Sequence, residues 1–115
     1  MCCFMIKGLF FDISGVLLDG DQLIPGADKA LDIVRQNKLP YRLITNTSRQ
    51  TCDMLVEQLH RAGLDVDADD VYTAPLAARD YVIKQGLRPY CLIHPKLMPE
   101  FADIDQSDPN AVVIG

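Results

Sequence analysis

Apolar runs that alternate with segments of helical spacing predict an α/β protein built on a parallel sheet. Short stretches rich in branched, aromatic and other apolar residues recur at 6–11, 41–44, 71–72, 90–93 and 111–114. Most are separated by segments with apolar residues three and four positions apart, long enough to be helices. Strands joined through helices of that length are right-handed crossovers and lie parallel. The expected order is β, hairpin, α, β, α, β, α, β, α, β.

The run from Ile6 to Phe11 reads as a short buried strand that ends on Asp12 and breaks at once into Ser14-Gly15. In open α/β sheets the crevice at the carboxyl ends of the strands is where ligands bind. Asp12 is therefore either a catalytic or ligand-binding carboxylate or a plain turn residue, since Asp commonly ends strands. From Gly15 to Ile24 the chain looks like a hairpin, with Asp19-Gly20 supplying the turn and Pro25-Gly26 closing it. Ala27, Ala30, Leu31 and Val34 follow helical spacing. Arg35 and Lys38 stand near the carboxyl end, where cations suit the dipole, and Pro40 stops the helix.

Tyr41 to Ile44 is the second strand and runs into Thr45-Asn46-Thr47-Ser48, with Ser48 a natural N-cap for the next helix. That helix carries Cys52, Leu55, Val56 and Leu59 on one face and ends at Gly63, with Leu64 making the apolar contact after it. Val71-Tyr72 is a short third strand. Pro75 precedes a helix over residues 76–85, which ends on Gly86-Leu87. A strand over 90–93, a short helix over 96–101 and a strand over 111–114 complete the order.

The 115 residues suffice for one small domain. With 49% hydrophobic and 23% charged residues, the composition is that of an ordinary globular protein. A net charge of −5 argues against nonspecific nucleic-acid or anionic-membrane partners, because both want a basic surface. Cys2, Cys3, Cys52 and Cys91 have no zinc-ligand spacing, and no secretory signal accompanies them. Reduced thiols in a cytoplasmic protein, with a nuclear location also open, are the simplest expectation.

Asp12 ends the first strand and Thr45-Asn46 ends the second, so parallel neighbours would bring them to one edge of the sheet. A carboxylate beside hydroxyl and amide groups suits phosphate and Mg²⁺ together. The carboxylate can attack phosphorus, while Thr and Asn side chains and local amides neutralise the phosphoryl oxygens.

With these residues in view, the chain resembles a known family. Phe10-Phe11-Asp12-Ile13-Ser14-Gly15-Val16-Leu17 resembles the first motif of the haloacid dehalogenase superfamily, usually Asp-x-Asp-Gly-Thr/Val, and Leu43-Ile44-Thr45-Asn46 resembles its second. The hairpin between them matches the squiggle and flap that follow the nucleophile. Pro25-Gly26-Ala27, Thr45 to Arg49 and Thr73-Ala74-Pro75 look like the type IIA subgroup, which carries a C2 cap between the second and third motifs. The resemblance implies a Rossmann-like parallel sheet of the haloacid dehalogenase type. Residues 1–86 would be the amino-terminal half of the phosphohydrolase core, and 87–115 the start of the cap.

It also implies roles. Asp12 would be the nucleophile and a Mg²⁺ ligand, and position 14 would offer its backbone carbonyl to the metal, which Ser14 can do. Thr45 and Asn46 would hold the transferring phosphoryl group. Ser14 departs from the pattern, because most phosphatases of the superfamily have Asp there as general acid and base. Losing a general acid costs about 10²–10⁴-fold, and least where the leaving group is already stable. Ser14 thus directs the reading from phosphate monoesters towards anhydride and phosphoramidate bonds: pyrophosphate, or a phosphohistidine or phospholysine protein.

The third-motif lysine and fourth-motif acids cannot be placed in residues 1–115, so the chain reads as the amino-terminal part of an enzyme and inactive by itself. Two alternatives stand beside that reading: an incomplete fragment or isoform acting only in binding or assembly, and a general phosphate-monoester phosphatase of the same superfamily. A half-sheet with an unpaired first strand should aggregate or pair as a homodimer. Other features carry less. Asp65-Val66-Asp67-Ala68-Asp69-Asp70 has Asp70 and Leu76 where an EF-hand loop needs glycine and glutamate, and reads as a solvated acidic loop. His94 reads as a surface or capping residue, and His60 as compensation of a helix dipole.

Overall fold

The computed structural model describes residues 5–115; the readings of Cys2 and Cys3 lie outside them. The first strand, β1, covers Leu9–Asp12. It begins later than the apolar run from Ile6 suggests, because its partner strand begins only at Tyr41. Leu9 N–H donates to the Pro40 carbonyl at 2.9 Å, and Pro40 has no N–H with which to carry the ladder further back. At its other end β1 takes in Asp12, which lies opposite Ile44.

The hairpin forms from β2 (Leu18–Asp19) and β3 (Gln22–Leu23). Asp19 pairs with Gln22, so the turn residues are Gly20-Asp21 rather than Asp19-Gly20. Gly20 has φ +61°, the positive value that a II′ hairpin turn needs at its first central position. Helix α1 (Ala27–Gln36) buries Ala27, Leu31 and Val34 and leaves Ala30 exposed. In its last turn, Arg35 stacks over the Tyr41 ring, 5.7 Å from the centroid, and donates to the Tyr41 hydroxyl at 3.0 Å.

Strand β4 (Tyr41–Thr45) is the centre of a parallel sheet ordered β1-β4-β5, where β5 is Val71–Thr73. Helix α2 covers Cys52–Ala62, and its N-cap is Thr51, whose hydroxyl accepts from Met54 N–H at 3.2 Å. Ser48 does not cap it. Residues 45–49 are held in successive hydroxyl turns instead, with Thr47 N–H on the Thr45 hydroxyl at 3.3 Å and Arg49 N–H on the Thr47 hydroxyl at 3.4 Å. These local bonds compete with helix formation and delay its start. At the other end Gly63 takes φ +102°, and Leu64 N–H closes on the Leu59 carbonyl, as the expected C-cap requires.

The acidic segment contains a 3₁₀ turn, Ala68–Asp70, whose Asp67 and Asp70 form a reciprocal capping box. Helix α3 (Ala74–Lys84) follows β5 without a loop, because the buried Thr73 hydroxyl accepts from Leu76 N–H at 3.2 Å and Pro75 occupies the first turn. The strands β6 (Pro89–Leu92) and β7 (Ala111–Ile114) form a parallel pair of their own, joined by a 3₁₀ turn (Pro95–Leu97) and helix α4 (Met98–Phe101). The parallel strands thus fall into two sheets. The 87–115 segment is fastened to the first sheet's helices by side chains: Arg79 of α3 bonds Asp103 and the Glu100 carbonyl, and the Glu100 carboxylate accepts from Cys52 N–H at 2.7 Å.

The core lies between one face of β1-β4-β5 and the helices α1 and α2, with Leu17, Leu31, Leu43 and Leu59 at most 2% exposed. On the opposite face Phe10, Ile44 and Tyr72 remain exposed. Among the described residues no helix is long and apolar enough to cross a membrane.

Candidate active site

Parallel pairing sets the site. With Asp12 opposite Ile44 and Thr45 opposite Thr73, the carboxyl ends of three adjacent strands place Asp12, Thr45 and Thr73 along one edge. Adjacent strands run about 4.8 Å apart, so Asp12 and Thr45 stand close enough to share one small ligand, while Thr73 is buried with its hydroxyl capping α3. Asp12 is exposed, and its Oδ1 accepts from Ile13 N–H at 2.8 Å. That bond turns the carboxylate at the strand end and leaves Oδ2 for chemistry.

After Asp12 the backbone folds into a tight loop. Leu17 and Leu18 N–H groups converge on the Ile13 carbonyl at 2.9 and 3.0 Å, and Gly15 N–H donates to the Leu18 carbonyl at 2.7 Å. Gly15 has φ +78°, which an L side chain rarely adopts. The Ser14 carbonyl accepts none of the loop's backbone bonds, and its side chain is exposed.

Two clefts meet at the second strand end. One, of about 460 Å³, lies over the open face of the sheet and is lined by Asp12, Thr45, Asn46, Tyr72 and Thr73, among others. The other, of about 300 Å³, lies under the hairpin and is lined by Ser14, Thr45, Asn46, Thr47, Gln50 and Gln58, among others. Thr45 and Asn46 belong to both. The four expected site residues therefore gather at one edge, but Asp12 and Ser14 face different clefts across the Thr45-Asn46 divide. Neither cleft is lined by a lysine or arginine among the described residues.

Several lining residues stand out only in three dimensions. Thr73 is brought in by its register with Thr45; the signal in the sequence was its position before Ala74-Pro75, a helix start. Tyr72 donates its hydroxyl to Asp80 at 3.0 Å, and this bond raises the phenol pKa, so the ring stays neutral. Gln50 and Gln58 had no signal, being ordinary polar residues of a helix and its approach. The two histidines lie elsewhere: His94 Nδ1 accepts from Lys96 N–H at 3.2 Å as a cap, and His60 Nε2 sits 2.6 Å from the Val66 carbonyl. Of the thiols, Cys52 and Cys91 are free; burial raises both pKa values, which makes them less nucleophilic.

The donor types at this strand end are those Mg²⁺ takes. The Asp12 carboxylate and the Ser14 carbonyl, two residues apart at the end of β1, are hard oxygen donors, and this ion is commonly held by one or two carboxylates with waters and substrate phosphate. Among the described residues no cluster of three or more acidic, histidine or cysteine side chains stands ready for a metal.

A family model described as haloacid dehalogenase-like hydrolase matches residues 9–106. The chain belongs to this family. It is 43% identical over 114 residues to human phospholysine phosphohistidine inorganic pyrophosphate phosphatase, an alignment covering 95% of this chain and 42% of that protein. It is 35% identical over 113 residues to human haloacid dehalogenase-like hydrolase domain-containing protein 2, covering 98% and 44% respectively. The chain thus spans less than half the length of these relatives. Among solved structures, NagD from E. coli K-12 superposes with a TM-score of 0.85 at 30% identity, over 97% of this chain and 47% of that one. A glycerol phosphate phosphatase from Mycobacterium tuberculosis, solved in complex with magnesium, superposes with a TM-score of 0.78 at 25% identity, over 95% and 36%. This haloacid dehalogenase-like chain therefore shares its fold with phosphatases over nearly its whole length.

Proposed function

We propose that Asp12 is the nucleophile of a Mg²⁺-dependent phosphohydrolase that works through an aspartyl-phosphate. The observation that carries this reading is the Oδ2 of Asp12, without a hydrogen-bond partner among the described residues, at the strand edge it shares with Thr45. Attack by that oxygen on phosphorus transfers the phosphoryl group to Asp12 and releases the leaving group; water then cleaves the acyl phosphate and restores the carboxylate. Thr45 and Asn46 donate hydrogen bonds to the phosphoryl oxygens as charge builds on them. Bound Mg²⁺ would supply the positive charge that neither cleft carries, held by Asp12 and the Ser14 carbonyl.

The favoured bonds are those whose leaving groups depend least on an acid from the protein, phosphate itself or an imidazole or amine already protonated on nitrogen, since Ser14 cannot serve as that acid at neutral pH. Pyrophosphate and phosphohistidine or phospholysine proteins meet that condition, and a relative 43% identical is named for that chemistry. On this reading residues 87–115 begin the cap, and the protein is cytoplasmic. The test is Mg²⁺-dependent release of phosphate from pyrophosphate, phosphohistidine and an alkyl phosphate by the full-length protein. We expect pyrophosphate or phosphohistidine to be turned over faster than the alkyl phosphate, and Asp12→Asn to lower turnover roughly 10⁴-fold or more. Full activity in Asp12→Asn would remove Asp12 from the chemistry, and a preference for the alkyl phosphate would overturn the substrate class.

A further inference from the structure

The hairpin that roofs the smaller cleft is gripped by a side chain from a distant helix. Gln58, in the middle of α2, donates from Nε2 to the Gly20 carbonyl at 3.2 Å and to Asp21 Oδ1 at 3.0 Å, both in the hairpin turn. Its Oε1 in turn accepts from Gln50 Nε2 at 2.9 Å. One amide therefore joins three segments: the hairpin tip, helix α2 and the stretch that follows the phosphate-binding strand end. All three border the cleft that Ser14 lines.

The hairpin is also rigidly tied to the loop after Asp12. Leu18 N–H bonds the Ile13 carbonyl at 3.0 Å, Gly15 N–H bonds the Leu18 carbonyl at 2.7 Å, and Ile24 N–H bonds the Leu17 carbonyl at 2.9 Å. A hairpin of two residue pairs has little stability of its own. What keeps its tip seated must come from outside. Among the described residues, apart from Leu18 and Leu23 packing inward, Gln58 is the side chain that bonds it.

We propose that Gln58 is a positioning residue. By latching the hairpin tip it holds the Ser14 loop in register with Asp12, and Gln50 orients the latch. This rests on the reading of Asp12 and Ser14 given above only for its consequence in catalysis; the latch itself is a property of the fold.

Amide hydrogen exchange on the full-length protein tests it without any activity. The Gly15, Leu18 and Ile24 amides report the hairpin and its loop, while the Leu39 and Leu64 amides, which cap α1 and α2, report the rest. Gln58→Ala should raise exchange at the first group about three- to thirtyfold, the equivalent of one or two neutral hydrogen bonds, and leave Leu39 and Leu64 unchanged. Alanine favours helix, so α2 itself is not weakened. Gln58→Glu keeps the acceptor for Gln50 but sets a carboxylate against Asp21. Relative to wild type, it should loosen the hairpin at pH 7 at least as much as Gln58→Ala does, because the new carboxylate faces another across the latch. Equal changes at all five amides, or none at the hairpin amides, would overturn the latch. Loss of phosphatase activity in Asp12→Asn has no bearing on this outcome, so the two readings fail separately.

Discussion

At the scale of single residues, function depends on which atoms remain free once the backbone is satisfied. Asp12 spends one oxygen on its neighbour's N–H and keeps the other; the Ser14 carbonyl takes no part in the loop's backbone bonding. Thr73 is the opposite case, a hydroxyl wholly committed to capping α3 while only 1% exposed. Removing it leaves the Leu76 N–H without that acceptor. Thr73→Ala should therefore lower unfolding stability by about 1 kcal/mol, read as a lower urea midpoint, and Thr73→Ser should recover most of the loss. A serine variant no better than alanine would mean that the methyl group, not the hydroxyl, matters there.

At the scale of elements, the segment from β6 to β7 is held on by charge as well as by packing. Arg79 on α3 reaches Asp103 beyond α4, with one guanidinium nitrogen 2.7 Å from Oδ2, and donates to the Glu100 carbonyl as well. The hydrogen bond from Arg79 lowers the Asp103 pKa below its ordinary 3.8. A carboxylate whose pKa is depressed in the folded state stabilises that state above its unfolded pKa and ceases to do so as pH falls through the folded value. The urea midpoint of the wild type should thus exceed that of Asp103→Asn at pH 6, and the gap should close as pH is brought below 3.8. A gap that persists in acid would assign the fastening to packing alone.

At the scale of the whole molecule, the shape follows from covering one face of the sheet and not the other. The extents are 53 × 39 × 19 Å, and the thin dimension has room for one sheet and one layer of helices, each helix about 10–12 Å across. The radius of gyration of 16.6 Å exceeds the roughly 13 Å of a compact 100-residue domain. Parallel sheets are ordinarily buried on both faces, yet Phe10 is 77% exposed here, with Ile44 and Tyr72 beside it on the same face. The chain should self-associate as its concentration rises, and Phe10→Ser should weaken this, both followed by sedimentation velocity. Equal behaviour of the two chains would show that the open face takes no part.

The sequence by itself determined the kinds of elements, their order and the chemistry at two strand ends. Those signals are local: alternation of apolar runs, glycine at Gly63, proline at Pro75, an acid after an apolar strand. It also carried enough of two motifs at Asp12 and Thr45-Asn46 to indicate the family. What it misjudged were boundaries where local bonds compete. The start of β1 depends on where Pro40 ends its partner, the start of α2 on hydroxyl turns at Thr45 and Thr47, and the hairpin turn on the pairing of Asp19 with Gln22. Only the tertiary structure decided that the parallel strands divide into two sheets, that Asp12 and Ser14 look into different clefts, and that Gln58 reaches the hairpin. Each of these depends on residues dozens of positions apart, and no local pattern encodes which of many polar side chains will meet across that distance.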